Sequence, residues 1–261
     1  MEILILLSMG ALAGTMAGLL GIGGGVIIVP VLAWVFEGQG VSSAVLMHVA
    51  VGTSLATIMA TSVSSIRAHQ KRGAIQWPVF RSITPGIIAG SLLGAAIAGL
   101  LSGENLRIAF GVFILFVAAQ MARGLATKPH RTLPGGAGMA AAGGVIGTFS
   151  AIMGIGGGAM SVPFMSWCNV DARQAVATAA AIGFPIAVTG TLGFLVNGWE
   201  NPDLPAASLG YINLPAFAGI VGASILFAPF GARIAHRIPQ LTLKRIFAAF
   251  LAVMGLRMLL F

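Results

Sequence analysis

Gly21-Ile22-Gly23-Gly24-Gly25, followed five residues on by Pro30, recurs as Gly154-Ile155-Gly156-Gly157-Gly158, followed five residues on by Pro163. Both copies lie inside long apolar stretches. Glycine in a helix interior costs about 1 kcal/mol against alanine. Four glycines in five residues therefore mark a place where one helix ends and another begins, and where the backbone itself is needed.

Outward from these strings the chain reads as membrane protein. It is 57% hydrophobic and 8% charged over 261 residues. Apolar runs of about 20 residues, the length that crosses a bilayer, recur along it. A soluble core does not need helices that are apolar all round. The stretch from Met1 has neither a basic leader nor a small-residue cleavage site, so it reads as a retained helix. The single cysteine, Cys168, excludes an internal disulfide and a cysteine-rich metal site. The expected class is an all-α, polytopic helical membrane protein that needs no cofactor and no metal.

The net charge of +8 would suit nucleic acid, but its placement does not. Eleven of the fourteen Lys and Arg fall in three short loops: Arg67 to Arg81, Arg123 to Arg131, and Arg233 to Arg245. All six acids lie elsewhere, which is the positive-inside pattern of a membrane protein.

Taken in order, the first segment runs from about Ile3 to Leu20 and stops at the first string. A short apolar piece, Val26 to Phe36, follows. A second segment, about Val41 to Ile66, carries His48, Thr53, Ser54, Thr57, Thr61 and Ser62. The third, about Pro78 to Leu101, has Gly86, Gly90 and Gly94 at the spacing that lets membrane helices approach closely. The fourth is about Leu106 to Gly124. The second half repeats this plan. Its short piece is Ala159 to Trp167 and its long segment about Ala172 to Val196. Gly210-Tyr-Ile-Asn-Leu-Pro215 echoes Gly73-Ala-Ile-Gln-Trp-Pro78. The halves are expected at residues 1–128 and 129–261, within one membrane unit.

With the basic loops in the cytoplasm, the first copy of the second segment ends inside and its counterpart ends outside. Each half then crosses an odd number of times, the repeats are inverted, and both termini lie outside. Either the short pieces cross, giving ten crossings, or each string is the tip of a re-entrant hairpin, giving six. Five elements per half is the preferred reading.

Inverted repeats with interrupted helices are a transporter signature. A helix that starts inside the membrane presents free N–H groups and roughly half a positive charge at its first turn. Glycine lets an anion approach those groups with no Cβ in the way. Gly21, Gly23, Gly24 and Gly25, with Gly154, Gly156, Gly157 and Gly158, are thus the expected substrate-binding backbone. His48, Thr53 and Ser54 are expected to line the cavity from the second segment, with His48 also a candidate proton carrier. That polar face is not duplicated: the second half has Ile182-Gly183-Phe184-Pro185, with Thr178 and Thr189 its nearest polar neighbours. Asp171 and Arg173 read as an interfacial pair, and Arg107 and Arg257 as snorkelling residues near segment ends.

Other uses of the strings fit poorly. A dinucleotide fingerprint needs a glycine where Val26 stands and a preceding strand. An intramembrane protease needs a serine beside a histidine base, or two facing aspartates. Cation sites call for buried carboxylates or exposed carbonyls, and no carboxylate lies clearly mid-membrane here.

Two copies of G-[ILV]-G-G-G-x-x-x-x-P, each after a glycine-spaced helix, resemble the TauE/SafE family of membrane transporters. The likeness covers essentially the whole chain, and Ala50-Val51-Gly52-Thr53-Ser54-Leu55 resembles the family's first-half motif. The second half departs from that motif at Phe184 and Pro185. The resemblance implies a multi-pass protein of the bacterial cytoplasmic membrane that moves sulfite or another small sulfur-containing anion outward. The partners expected are that anion and the lipid bilayer, with no nucleic acid; a homodimer fits the sequence as well as a monomer.

Overall fold

The structure is a computed structural model that describes residues 24–123, 131–235 and 240–260. Among these residues the chain forms nine helices and one two-stranded ribbon. The first half contributes α1 (Gly25–Gly38), α2 (Ser43–Gln70), α3 (Trp77–Leu100) and α4 (Gly103–Ala122). The second contributes α5 (Gly136–Ile152), α6 (Gly158–Trp167), α7 (Ala172–Asn197), the ribbon β1 (Ser208–Leu209) and β2 (Ile212–Asn213), α8 (Leu214–Ala235) and α9 (Gln240–Leu260). The expected segment from Ile3 to Leu20, and the expected boundary between residues 128 and 129, lie outside the described residues.

The helices α2, α3, α4 and α7 are long and apolar enough to cross a membrane. The all-α polytopic class therefore holds. Their ends are set by local chemistry. Ser42 accepts from Ala44 N at the start of α2, and Ser102 accepts from Asn105 N at the start of α4. Asp171 caps α7 by accepting from Arg173 N and Gln174 N. Asp171 thus spends its carboxylate on the backbone and forms no ion pair with the Arg173 side chain among the described residues, because a carboxylate at an N-cap satisfies donors that the helix leaves free.

In lipid there is no water to drive helices together, so close backbone approach does the packing. The stripe Gly86, Gly90 and Gly94 on α3 meets Ala140, Gly144 and Thr148 on α5, and Gly143 and Gly147 on α5 return the contact to Ile83 and Ile87. Contacts at equal increments along both chains make α3 and α5 parallel. Thr148 Oγ1 reinforces the seam by donating to Gly90 O at 3.0 Å. Conversely, Gly52 on α2 meets Phe194 on α7, and Leu55 meets Gly190, so α2 and α7 run antiparallel. The same reasoning makes α4 and α9 antiparallel, through Gly111 against Leu259 and Gly255 against Leu115.

The polypeptide between Arg131 and α5 decides how the second string is reached. Arg131 N donates to Trp167 O at 3.2 Å, and the Arg131 guanidinium lies 5.1 Å from the centre of the Trp167 ring. Five residues of chain from Arg131 reach at most about 17 Å. The start of α5 and the end of α6 therefore share one face. α5 and α6 form a hairpin whose tip is Gly154 to Gly157, so α6 returns to the end of the bundle where α5 starts, against the preferred reading in which this short piece crosses. Arg67, Lys71, Arg72, Arg123 and Arg131 lie at this end of the bundle, and Glu37 and Glu104 at the other, as the helix directions require.

Candidate functional site at the two glycine strings

α2 is buried on all sides from Met47 to Ile58. Its 28 residues span about 42 Å at 1.5 Å per residue, with the midpoint beside Thr57. Both strings reach this midpoint. A Cβ built on Gly154 would lie 3.0 Å from Val51 Cα, and one built on Gly25 would lie 2.9 Å from Ile58 Cδ1. The strings also touch each other. A Cβ on Gly25 would come within 2.6 Å of Gly154 O and 2.8 Å of Ile155 Cα. Only a residue without a side chain fits there.

Each string behaves locally as its composition demands. Gly154 takes φ +64°, the left-handed conformation that ends α5 without a Cβ clash. Gly24 and Gly157 are the N-caps of α1 and α6, and both are buried. A glycine cap offers no side-chain acceptor, so the first-turn N–H groups of these helices lack the partner that Ser42, Ser102 and Asp171 give elsewhere. α1 runs from this point toward the end of the bundle that holds the start of α2. α6 runs to the opposite end. Two uncapped helix starts thus diverge from one buried level. Gly156 and Gly158 are buried with them, while Gly21 and Gly23 lie outside the described residues.

Ser54 is drawn into this junction: its Oγ donates to Gly154 O at 2.8 Å. Two further buried hydroxyls flank the second string, Ser150 on α5 and Ser161 on α6, and neither oxygen has a hydrogen-bond partner. No ionised side chain is buried among the described residues, so hydroxyls and backbone dipoles dominate here. Ser150 and Ser161 were not singled out in the sequence; a serine four residues before the second string and one four residues after its first half-helix glycine were the available signals. On α7, Thr178 and Thr189 are engaged away from the strings, Thr178 with Gln76 N and Thr189 with Ser91.

Thr53 points to a different partner. Its Oγ1 accepts from Asn213 N at 2.9 Å, fully buried. The ribbon from Ser208 to Asn213 therefore does not stay at the surface; it enters the bundle to the level of Thr53. Tyr211 follows it in and stacks on His48 with ring centres 4.9 Å apart. Asn213 Oδ1 then caps α8 by accepting from Ala216 N. His48 lies nearer the end of the bundle, six residues from Ser54. Its Nε2 faces two carbonyl oxygens, Ala98 O at 3.0 Å and Leu101 O at 3.1 Å. Two acceptors require a proton on Nε2, and Nδ1 is buried without a partner.

A sequence model of the family described as sulfite exporter TauE/SafE matches residues 6–258. The chain belongs to the TauE/SafE family. A probable membrane transporter protein of Haemophilus influenzae is 37% identical over 99% of this chain and 98% of its own. One from Methanocaldococcus jannaschii is 28% identical over 98% and 95% of the two chains, and YunE of Bacillus subtilis is 29% identical over 86% and 89%. No solved structure matches the chain. As a TauE/SafE protein with four long apolar helices among its described residues, the chain is a multi-pass membrane transporter.

Proposed function

We propose that this TauE/SafE protein exports a small sulfur-containing anion, sulfite or an organosulfonate, across the bacterial cytoplasmic membrane. The observation that carries the reading is the contact of Gly25 with Gly154 and Ile155 at the midpoint of α2. The anion would accept hydrogen bonds from the first-turn N–H groups of α1 and α6, with Ser54 turning its hydroxyl from Gly154 O to the solute. Thr53 would line the same space, and His48 the route to it. No buried Lys or Arg is needed, so the solute is held without a trapping charge. An inside-negative potential favours anion export by about 2.3 kcal/mol per charge per 100 mV.

The strings are packed shut, so passage requires α1 to part from the α5–α6 tip. An inverted pair of repeats, residues 1–128 and 129–261, offers the motion, one repeat rocking against the other. Two features favour that pairing. α2 and α7 are antiparallel. In addition, Gln76 N of the first half donates to Thr178 of the second, while Asn213 N of the second donates to Thr53 of the first, both at 2.9 Å. Basic residues facing the cytoplasm would leave both termini outside.

The test is anion flux in proteoliposomes carrying Gly24→Leu or Gly157→Leu. A Cβ at Gly157 already meets Ala179 O and Ile182 Cγ2 at 3.0 Å, so a leucine there must displace the start of α6 from its place against α7. Loss of sulfite or sulfonate flux in folded protein is expected. Flux equal to wild type in both variants would eliminate the strings as the site.

A further inference from the structure

A cavity of about 500 Å³ lies between the ends of α1, α2, α4 and α9, away from the strings. Its rim carries Glu37, Glu104, Arg107 and Arg257. Its floor is apolar, formed by Pro30, Ala33, Met47 and Met254 among others. From Glu37 to Pro30 is seven helical residues, about 10 Å along α1. The cavity is therefore charged at one end and greasy about two turns deeper.

The two cations differ. Arg257 is committed: its Nη2 donates to Glu37 Oε2 at 2.7 Å, and its guanidinium lies 5.5 Å from the Trp34 ring centre. Arg107 is half-buried in the same rim and has no hydrogen bond or ion pair among the described residues, leaving five donors unspent there. The flanks of the opening are apolar and outward-facing: Trp34 is 52% exposed, Val253 63% and Leu256 50%. On a membrane protein these faces meet acyl chains.

We infer that this cavity holds one membrane phospholipid, its phosphate on Arg107 and the start of an acyl chain along Pro30 and Met254. Guanidinium matches phosphate oxygens in a two-pronged geometry, and with Arg257 spent on Glu37 it is Arg107 that the rim leaves for one. The Glu37–Arg257 pair on Trp34 forms one wall. The apolar floor and the lipid-facing mouth favour an anchored phosphate over a free one, which would leave the floor empty. The bound lipid would tie the end of α1, the helix that leaves the first string, to α4 and α9.

The test is native mass spectrometry of the full chain released from nanodiscs of phosphatidylethanolamine and phosphatidylglycerol. Wild type, Arg107→Gln and Arg123→Gln are compared, the last at the opposite end of the bundle. Arg107 has no partner to lose, so its replacement leaves the fold intact; thermal unfolding of both variants checks this. Wild type and Arg123→Gln should retain a phospholipid with equal occupancy. Arg107→Gln should bind it about ten- to a hundredfold more weakly, as loss of a charge-assisted hydrogen bond predicts. Equal retention in wild type and Arg107→Gln overturns the assignment. So does displacement of the lipid by millimolar inorganic phosphate, which would make this a site for soluble oxyanions.

Discussion

Ser54 Oγ donates a 2.8 Å hydrogen bond to the carbonyl of Gly154, one hundred residues away and on the other side of the chain's midpoint. The bond fastens the central helix α2 to the tip of the α5–α6 hairpin. It also engages the Ser54 hydroxyl at the junction of the strings, while the hydroxyls of Ser150 and Ser161 beside it stay unpartnered.

Ser54→Ala should therefore destabilise the closed state. The Gly154 carbonyl would lose its side-chain donor in a fully buried position, at a cost of about 1–3 kcal/mol. Thermal unfolding in detergent should show a lower midpoint than wild type. If Ser54 also serves the solute, flux should fall as well. An unchanged midpoint would mean that water or another donor replaces the hydroxyl.

Gly25→Ala should be worse tolerated than its size implies. The added methyl would press on the backbone of Gly154 and Ile155 at 2.6 and 2.8 Å, and neither can rotate away. Overpacking of this kind costs about 1–3 kcal/mol. Gly38→Ala is the matched control, since a Cβ there meets nothing within 4 Å. Unfolding midpoints of the two variants should separate clearly, with Gly38→Ala near wild type.

Much of this architecture could be read from the residues themselves. Val41 to Ile66 became Ser43–Gln70, and Ala172 to Val196 became Ala172–Asn197, because long apolar runs bounded by Ser42 and Asp171 leave little choice of helix. The stripe Gly86, Gly90 and Gly94 announced a close seam, though not that α5 would fill it. What stayed hidden was tertiary. Nothing local in Ser208 to Asn213 distinguishes a surface loop from a ribbon that enters the bundle. The partners that make its entry tolerable, Thr53 and His48, are 160 residues away. The hairpin return of α6 was one of the two geometries the sequence allowed, and the meeting of Arg131 with Trp167 is what selects it. The glycine strings were legible as helix breaks, whereas their mutual contact depends on how the two halves face each other.

Cys168 offers a chemical check on the hairpin's return. It follows α6, is only 5% exposed, and its burial pushes the thiol pKa up, with the Arg131 guanidinium opposing in part. The thiolate is the reactive form, and a raised pKa leaves less of it at neutral pH. Maleimide labelling of the folded protein should be slow at pH 7 and should keep accelerating above the ordinary thiol range. Labelling at the rate and pH profile of a free cysteine would mean that the turn after α6 is open.

His48 and Tyr211 hold the inner ribbon against α2 through ring stacking, while His48 Nε2 binds the end of α3. His48→Ala removes a donor from two carbonyls and the ring beneath Tyr211 together, so a loss of about 2–4 kcal/mol is expected. His48→Gln keeps an N–H donor near Ala98 O and should recover part of that loss. The pair of variants also separates structure from proton transport. A folded His48→Gln protein whose flux keeps its dependence on an imposed pH gradient would free His48 from any role in carrying protons.

Thr53 and Asn213 supply the most selective test of the inserted ribbon. Thr53→Val keeps the shape of the side chain but removes the oxygen that accepts from Asn213 N at 2.9 Å. Both residues are buried, so the orphaned N–H should cost about 1–3 kcal/mol. Thr57 is the internal comparison: its hydroxyl donates to Thr53 O within the same helix at 2.8 Å, and that carbonyl retains its place in the helix ladder when the hydroxyl is lost. Thr57→Val should therefore cost much less than Thr53→Val. Amide hydrogen exchange gives the direct readout. In Thr53→Val the Asn213 amide and the first turn of α8 should exchange faster than in wild type, while α3 and α5 keep their protection. Uniformly faster exchange would signal global destabilisation instead, and no change at Asn213 would mean that Thr53 does not hold the ribbon in place.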